Sequence, residues 1–177
     1  MSLAQRLEAI EADITTLVLD AIVNAANEPL VMGGGVDGAI RRKAGREMEE
    51  EIRRIGRCAT GEAVITRGHR LPARFVIHTV APVWGGGGAT PEQKQALLAR
   101  CYRNALLRAD ENAIASIAFP CIGTGIYGWP QDLAAQIAFE SAVQHLRACD
   151  LQTRIVFCCF SHADYETYSA LIASAVS

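Results

Sequence analysis

The feature that most constrains the fold is an alternation between short apolar runs and longer stretches with helical spacing. The apolar runs have the length of strands and are Ala21–Val23, Ala63–Ile65, Phe75–Val80, Ile114–Phe119 and Ile155–Phe160, with a weaker one before Asp13. Helical spacing covers Pro91–Asp110, Pro130–Cys149 and His162–Ala175. Strands that alternate with helices predict an α/β fold with a mainly parallel sheet that is covered on both faces.

Length and charge limit the number of domains and the kinds of partner. The chain has 177 residues, half of them hydrophobic, which predicts one domain over residues 1–177. Seventeen Lys and Arg against nineteen Asp and Glu give a formal net charge of −2. This balance does not favour nucleic acid or an anionic membrane as a partner, so an anionic ligand would have to be recognised locally.

The cysteines and histidines predict neither a disulfide framework nor a metal site. None of the six cysteines forms a C-x-x-C pair, and no histidine has the spacing from a cysteine pair that zinc ligands show. His78 lies within an apolar strand pattern, which predicts a buried histidine with one hydrogen-bond partner. The apolar runs are too short to span a membrane, and the N-terminal segment has no secretory pattern. We therefore expect a soluble, cytoplasmic protein without a metal or other cofactor.

Two glycine-rich loops each join a predicted strand to a predicted helix. The first, residues 24–38, contains Gly33–Gly35 and leads into a helix expected from about Ala39; the second comprises residues 120–130. Glycine allows main-chain N–H groups to turn toward a ligand, and a helix N-terminus adds unpaired donors and a positive dipole. Since ligands of parallel sheets bind beyond the carboxyl ends of the strands, we expect the two loops to hold a pyrophosphate together.

The glycines also allow other interpretations. For either loop alone, a tight turn without a ligand is favoured. The string Gly123-x-Gly125-x-x-Gly128 also fits the dinucleotide-binding pattern, which would indicate a nicotinamide-dependent oxidoreductase. That pattern belongs in a first βαβ unit whose next strand ends in an acid, whereas the next strand here ends in Cys159-Phe160-Ser161. No Lys-Ser or Lys-Thr follows either loop, which excludes a kinase-type phosphate loop.

Five ordered segments carry a resemblance to a known family. They are Asp13-Ile14-Thr15, Asp20–Asn27, Gly33–Ile40, His78–Trp84 and Phe119–Tyr127. Together they resemble the macro domains, and within them the MacroD-type bacterial ADP-ribose hydrolases. The resemblance implies a three-layer α/β/α sandwich with a central mixed sheet and ADP-ribose across the strand ends. It also implies release of ester-linked ADP-ribose from acidic side chains of mono-ADP-ribosylated proteins, or deacetylation of O-acetyl-ADP-ribose.

The resemblance also implies which residues bind each part of the ligand. Asp13 and Ile14 would bind at the adenine end, where Asp13 would accept a hydrogen bond from the adenine amine and Phe160 would pack on the ring. Loop residues would line the diphosphate, namely Gly34, Gly35 and Val36 on one side and Gly123, Thr124, Gly125 and Ile126 on the other. Tyr127 would pack beside the distal ribose. The alternatives are a capping role for Asp13 and core packing for Phe160.

By the same resemblance, Asn27 and Asp37 carry the catalysis. Asn27 would bind a ribose hydroxyl, which suits an amide because it can both donate and accept; the alternative is that it ties two loops together. Asp37 would orient or deprotonate the water that attacks the ester. Its alternative role is that of a helix N-cap. Assistance to the water from the phosphate of the ligand is a second possible mechanism.

Four residues depart from the family pattern. Ala12 replaces a glycine, Met32 the first glycine of the run, Arg41 a histidine and Gly123 a serine. Met32 would narrow the entrance to the site, and Gly123 would forfeit a hydroxyl donor. Arg41 would either act on Asp37 or a phosphate, or be an exposed surface arginine. Met32, Arg41 and Gly123 keep open an alternative function, a module that binds ADP-ribose without turnover.

Overall fold

The computed structural model describes residues 2–149 and 151–175. The strands are β1 (Leu7–Glu11), β2 (Ala21–Ala25), β3 (Ala63–Arg67), β4 (Phe75–Thr79), β5 (Ser116–Phe119) and β6 (Arg154–Cys159). The helices are α1 (Leu3–Arg6), α2 (Gly35–Ala44), α3 (Arg46–Ile55), α4 (Pro91–Glu111), α5 (Gln131–Ala148) and α6 (His162–Ser174), and a 3-10 turn covers Ile14–Thr16. The prediction of one domain over residues 1–177 stays a prediction. It includes four residues that lie outside the described ones, namely Met1, Asp150, Val176 and Ser177.

The strands form one mixed sheet in the order β1-β6-β5-β2-β4-β3. The neighbouring strands are parallel except β3 and β4, which are antiparallel. After β2 the chain continues to β3 and β4 on one side, whereas after β5 it continues to β6 on the other. The loops that follow β2 and β5 therefore diverge from adjacent strands, which is the point where parallel sheets form a ligand crevice.

Helices cover both faces of the sheet. Successive strand residues point to opposite faces, so Val23 and Ile117 pack with α4, α5 and α6, while Ile22 and Ala118 pack with α2 and α3. This confirms the predicted three-layer α/β/α sandwich with a mixed, mainly parallel sheet. Among the described residues, no helix has both the length and the apolarity to cross a membrane.

Helix α2 begins at Gly35, four residues before the predicted start at Ala39. Gly34 occupies the N-cap, and the Gly38 N–H donates to the Gly34 carbonyl at 3.1 Å. Asp37 therefore lies in the first helical turn and is not the N-cap residue. The glycine run therefore forms the N-terminus of α2. Asp37 stabilises this N-terminus, because an acid in the first turn interacts favourably with the unpaired N–H groups there.

Candidate ligand-binding cleft

A cavity of about 330 Å³ lies at the carboxyl ends of β2 and β5. The loop after β2 lines it with Asn27 and Gly33–Asp37, and the loop after β5 lines it with Gly123 and Gly125–Tyr127. Both loops therefore border the same cleft, because the strands that precede them are neighbours in the sheet. The volume is in the range of small-molecule sites.

The first loop presents a helix N-terminus to the cleft. Gly34 and Gly35 are exposed, and a Cβ built on either one would meet no atom within 4 Å. Gly35 has a φ of +54°, a backbone region that favours glycine. The main chain at the start of α2 is therefore open to a ligand, and the positive end of the helix dipole favours an anion there.

The second loop contains two glycines in different surroundings. Gly123 has a φ of +86°, and a Cβ there would lie 2.6 Å from Cδ1 of Trp129. Trp129 is buried, donates from Nε1 to the Pro82 carbonyl at 2.8 Å, and packs on Trp84. The loop therefore has no room for a side chain at Gly123, which is a structural reason for glycine there. A Cβ on Gly125 would meet nothing within 4 Å.

The side chain of Thr124 is engaged within its own loop. Its hydroxyl donates to the Cys121 carbonyl at 2.9 Å, and Thr124 does not line the cavity. The next residues along the loop, Ile126 and Tyr127, do line it, and Ile126 is 97% exposed. The side chain of Thr124 thus holds the turn, and contact of its main chain with the diphosphate stays a prediction.

The residues expected at the adenine end lie beside the cleft, beyond the adjacent ends of β1 and β6. Phe160 is 91% exposed, so it does not pack in the core. Asp13 caps the 3-10 turn, where it accepts hydrogen bonds from the Thr15 hydroxyl at 2.7 Å and the Thr15 N–H at 2.9 Å. These bonds lower the pKa of Asp13. Ile14 is buried against the layer that contains α2 and α3. Ligand contacts of these residues stay predictions.

Asn27 closes its own loop with both ends of its amide. Nδ2 donates to the Val31 carbonyl at 2.9 Å, and Oδ1 accepts from the Val31 N–H at 3.0 Å. The loop-tying role is thus present, although within a single loop. Asn27 also lines the cleft, and an amide has a second N–H and a second lone pair, so these groups can still bind a ribose hydroxyl.

Asp37 is fixed at the base of the cleft by a hydrogen bond to each carboxylate oxygen. Oδ1 accepts from Nδ2 of Asn24 and Oδ2 accepts from the Gly33 N–H, both at 2.6 Å. The residue is only 4% exposed, yet it borders the cavity. The position and rotation of this carboxylate are therefore set by the protein before any ligand binds.

A buried polar chain leads away from Asp37 through the sheet. Nδ2 of Asn24 also lies 3.1 Å from Nδ1 of His78, and Nε2 of His78 lies 2.9 Å from the Thr66 hydroxyl. A carboxylate only accepts, so Asn24 must direct its amide hydrogens to Asp37 and to Nδ1 of His78. Neutral His78 then carries its proton on Nε2 and donates to Thr66. His78 has two partners rather than the expected one.

The surroundings of His78 favour the neutral ring. Complete burial, followed by the charge of Arg41, lowers the pKa of His78 to about 3. No role was predicted for Asn24, which connects His78 to Asp37. A polar residue inside the buried strand β2 is the sequence signal that could have identified it, because buried polar groups need partners.

Arg41 is buried, and the exposed-arginine interpretation is wrong. It donates to Glu49 from Nε at 2.5 Å and from Nη2 at 2.6 Å, and to the Leu30 carbonyl at 3.1 Å, while Nη1 lies 3.7 Å from Oδ1 of Asp37. Burial alone would lower the pKa of Arg41, but the Glu49 hydrogen bonds and the charges of Asp37 and Glu49 raise it. Arg41 therefore links α2 to α3 from behind Asp37.

The sandwich and the cleft at adjacent strand ends define an α/β/α protein with a cavity bordered by two glycine-rich loops. The family model described as Macro domain matches residues 23–138. The chain belongs to the macro domain family.

Individual relatives agree with this assignment. A macro domain-containing protein of Ralstonia nicotianae is 53% identical, with 96% of this chain and 95% of the relative covered. An ADP-ribose glycohydrolase of Xenopus laevis is 48% identical over 94% of this chain and 40% of its own length. An O-acetyl-ADP-ribose deacetylase of Salmonella newport is 45% identical over 96% of each chain. The structure of an Oceanobacillus iheyensis macrodomain with ADP has a TM-score of 0.89 and 41% identity, covering 96% of this chain and 91% of the other.

Proposed function

We propose that this protein is an ADP-ribose hydrolase. It would bind the ADP-ribose group in the cleft and cleave an ester, releasing ADP-ribose from acidic side chains of mono-ADP-ribosylated proteins or acetate from O-acetyl-ADP-ribose. The names of the Xenopus and Salmonella relatives support hydrolysis of such compounds. The observation that carries the proposal is the anchored carboxylate of Asp37 at the base of a cleft between two glycine-rich loops.

The diphosphate would be held by main-chain groups. Among the described residues, those that line the cavity include no lysine or arginine, so lysine or arginine side chains do not neutralise charge within it. The N-terminus of α2 supplies unpaired N–H donors and a positive dipole, and the loop after β5 faces it. This arrangement fits the slightly negative net charge of the chain, since local donors replace a basic surface.

Hydrolysis would require one water and one base. The water oxygen attacks the ester carbonyl carbon, the bond from that carbon to the ribose oxygen breaks, and the ribose oxygen takes up a proton. Each oxygen of Asp37 accepts one described hydrogen bond, which leaves a lone pair to orient the water or accept its proton. Asn27 would hold a ribose hydroxyl beside it. Assistance from a ligand phosphate is the alternative route for the proton.

The proposal is tested with a protein that is mono-ADP-ribosylated on glutamate. We expect the wild type to release ADP-ribose and Asp37→Ala to lose most of this turnover. Asp37→Ala should still bind ADP-ribose in calorimetry, because the loop main chain does the holding and Arg41 keeps its pairing with Glu49. Absence of release by the wild type, under conditions where a known hydrolase is active, would overturn the proposal.

A binding module without turnover is the second candidate. It is favoured by the fact that both oxygens of Asp37 already have a hydrogen-bond donor, which can make the carboxylate structural. Tight binding of ADP-ribose with no hydrolysis of either ester would select the binding module.

A competition titration of NAD against ADP-ribose addresses the oxidoreductase alternative, and we expect ADP-ribose to bind far more tightly. A cytoplasmic location also remains a proposal.

A further inference from the structure

Three side chains of metal-binding type meet where α4 and α5 end. Asp110 lies in the last turn of α4, and His145 and Cys149 lie in the last turn and at the C-cap of α5. One ligand atom from each residue can be chosen so that all three lie within 4.8 Å of one another. Helix α5 begins beside the cleft and has 18 residues. Its far end is therefore roughly 27 Å away, at 1.5 Å per residue, and is separate from the proposed ADP-ribose site.

Two of these ligand atoms are enclosed without a hydrogen bond. Oδ1 of Asp110 and Nε2 of His145 are buried and have no hydrogen-bond partner in the described part of the chain, although they lie 3.4 Å apart. Buried polar groups are nearly always satisfied, and in the described part of the chain these two atoms have only each other, in a geometry too long and too poorly aligned for a hydrogen bond. A cation between the two atoms would satisfy both.

The distances suit a tetrahedral ion. Zinc binds nitrogen and oxygen at about 2.0–2.1 Å, which puts two such ligands about 3.3 Å apart in a tetrahedron. Oδ1 of Asp110 lies 3.4 Å from Nε2 of His145, and Sγ of Cys149 lies 3.9 Å from the other Asp110 oxygen, Oδ2. His145 and Cys149 are four residues apart at the end of one helix, so they share a face. One ligand atom from each residue lies within 4.8 Å of the others, so side-chain rotation would be needed to bring all three onto one ion.

The chemistry and the local field favour the same ion. Thiolate, imidazole and carboxylate together are ligands that zinc accepts, whereas magnesium and calcium prefer oxygen alone. The carboxyl ends of α4 and α5 also meet here, and the negative ends of two helix dipoles favour a cation. This cluster was not predicted from the sequence, because the search for a zinc site looked for a cysteine pair. Here only one ligand is a cysteine, and Asp110 comes from α4 while His145 and Cys149 come from α5.

We propose that Asp110, His145 and Cys149 form a zinc site in which water completes the coordination. Binding would release the thiol proton of Cys149 and would fasten the end of α4 to the end of α5. Because the ion would bind the folded chain only, zinc would raise the thermal stability of the protein. The alternative is that no metal binds and that His145 and Asp110 form a direct ion pair.

The test uses untagged, metal-free protein with cobalt(II) and zinc(II) as probes. We expect one cobalt per chain, with thiolate-to-metal absorption in the near ultraviolet and visible bands of tetrahedral cobalt that zinc abolishes. Zinc should raise the melting temperature of the wild type and of the control variant His69→Gln. In Cys149→Ser the thiolate absorption should vanish, and in His145→Gln zinc affinity should fall at least tenfold.

Cobalt and zinc binding by the wild type tests the proposal even if a variant fails to fold. No cobalt absorption and no zinc-dependent shift in melting temperature would overturn the proposal in favour of the ion pair. Thiolate absorption that persists in Cys149→Ser would also overturn it, since another cysteine would then be the ligand. Affinity for ADP-ribose, measured by calorimetry with and without zinc, should be unchanged because the two sites lie at opposite ends of α5.

Discussion

Replacement of Gly123 by alanine should destabilise the protein, whereas the same change at Gly125 should not. The new methyl group of Gly123→Ala lies 2.6 Å from a ring carbon of Trp129. Trp129 cannot easily move, because it is buried, bonded to the Pro82 carbonyl and packed on Trp84. The positive φ adds about 1–2 kcal/mol for a residue with a Cβ, and forced packing adds about 1–3 kcal/mol. We therefore expect a loss of roughly 2–5 kcal/mol in the free energy of unfolding.

Urea denaturation of the wild type, Gly123→Ala and Gly125→Ala measures this difference. Gly125 has no positive φ and has open space where the new methyl group would lie, so Gly125→Ala should stay within about 0.5 kcal/mol of the wild type. The two glycines share one loop, so the pair separates steric need from general loop flexibility. Equal stability of the two variants would refute the argument that packing on Trp129 dictates glycine at Gly123.

Three further predictions concern the cleft and the buried polar side chains behind Asp37. Gly125→Val should fold but lose ADP-ribose affinity in calorimetry, because a branched side chain would enter the diphosphate position; undiminished affinity would contradict the two-loop model. Asn24→Ala should lower the free energy of unfolding by about 2–4 kcal/mol, because Asp37 loses a charge-assisted hydrogen bond and His78 loses its donor. The control is Asn112→Ala in an exposed helix cap, which should lower the free energy of unfolding by less than about 1 kcal/mol. His78 has a folded pKa of about 3 against an ordinary 6.5, so its contribution is complete above pH 6.5 and is lost as pH falls toward 3, at about 1.4 kcal/mol per unit. Stability measured in urea at pH 6.5 and 5 should therefore fall less in His78→Leu than in the wild type, and equal slopes would contradict a buried neutral ring.

The sheet and the meeting of the two loops could be predicted from the sequence because both follow from local periodicity. Apolar runs of strand length alternate with helical spacing, and loops that follow parallel strands lie at one edge of the sheet. The predicted start of α2 is too late because glycine is a poor helix former by itself. The bond from the Gly33 N–H to Asp37, which stabilises the first turn, is not visible in composition.

The surroundings of Asp37 depend on partners that are distant in sequence. Arg41 stands in a dense run of charges, where a solvated helix face is the ordinary expectation, and its burial follows from how α3 folds back onto α2. The connection of Asn24 to His78 and Thr66 requires that three strands lie in register. The resemblance to the macro domains indicated Asp37 as the candidate catalytic carboxylate, but it did not indicate the groups that fix the position of Asp37.

A crystal structure with bound ADP-ribose tests the central claim most directly, by showing which atoms contact the diphosphate. We predict phosphate oxygens within hydrogen-bond distance of main-chain N–H groups from both residues 34–36 and residues 123–126. A diphosphate paired instead with lysine or arginine side chains, or a nucleotide bound outside the space between the two loops, would contradict the account.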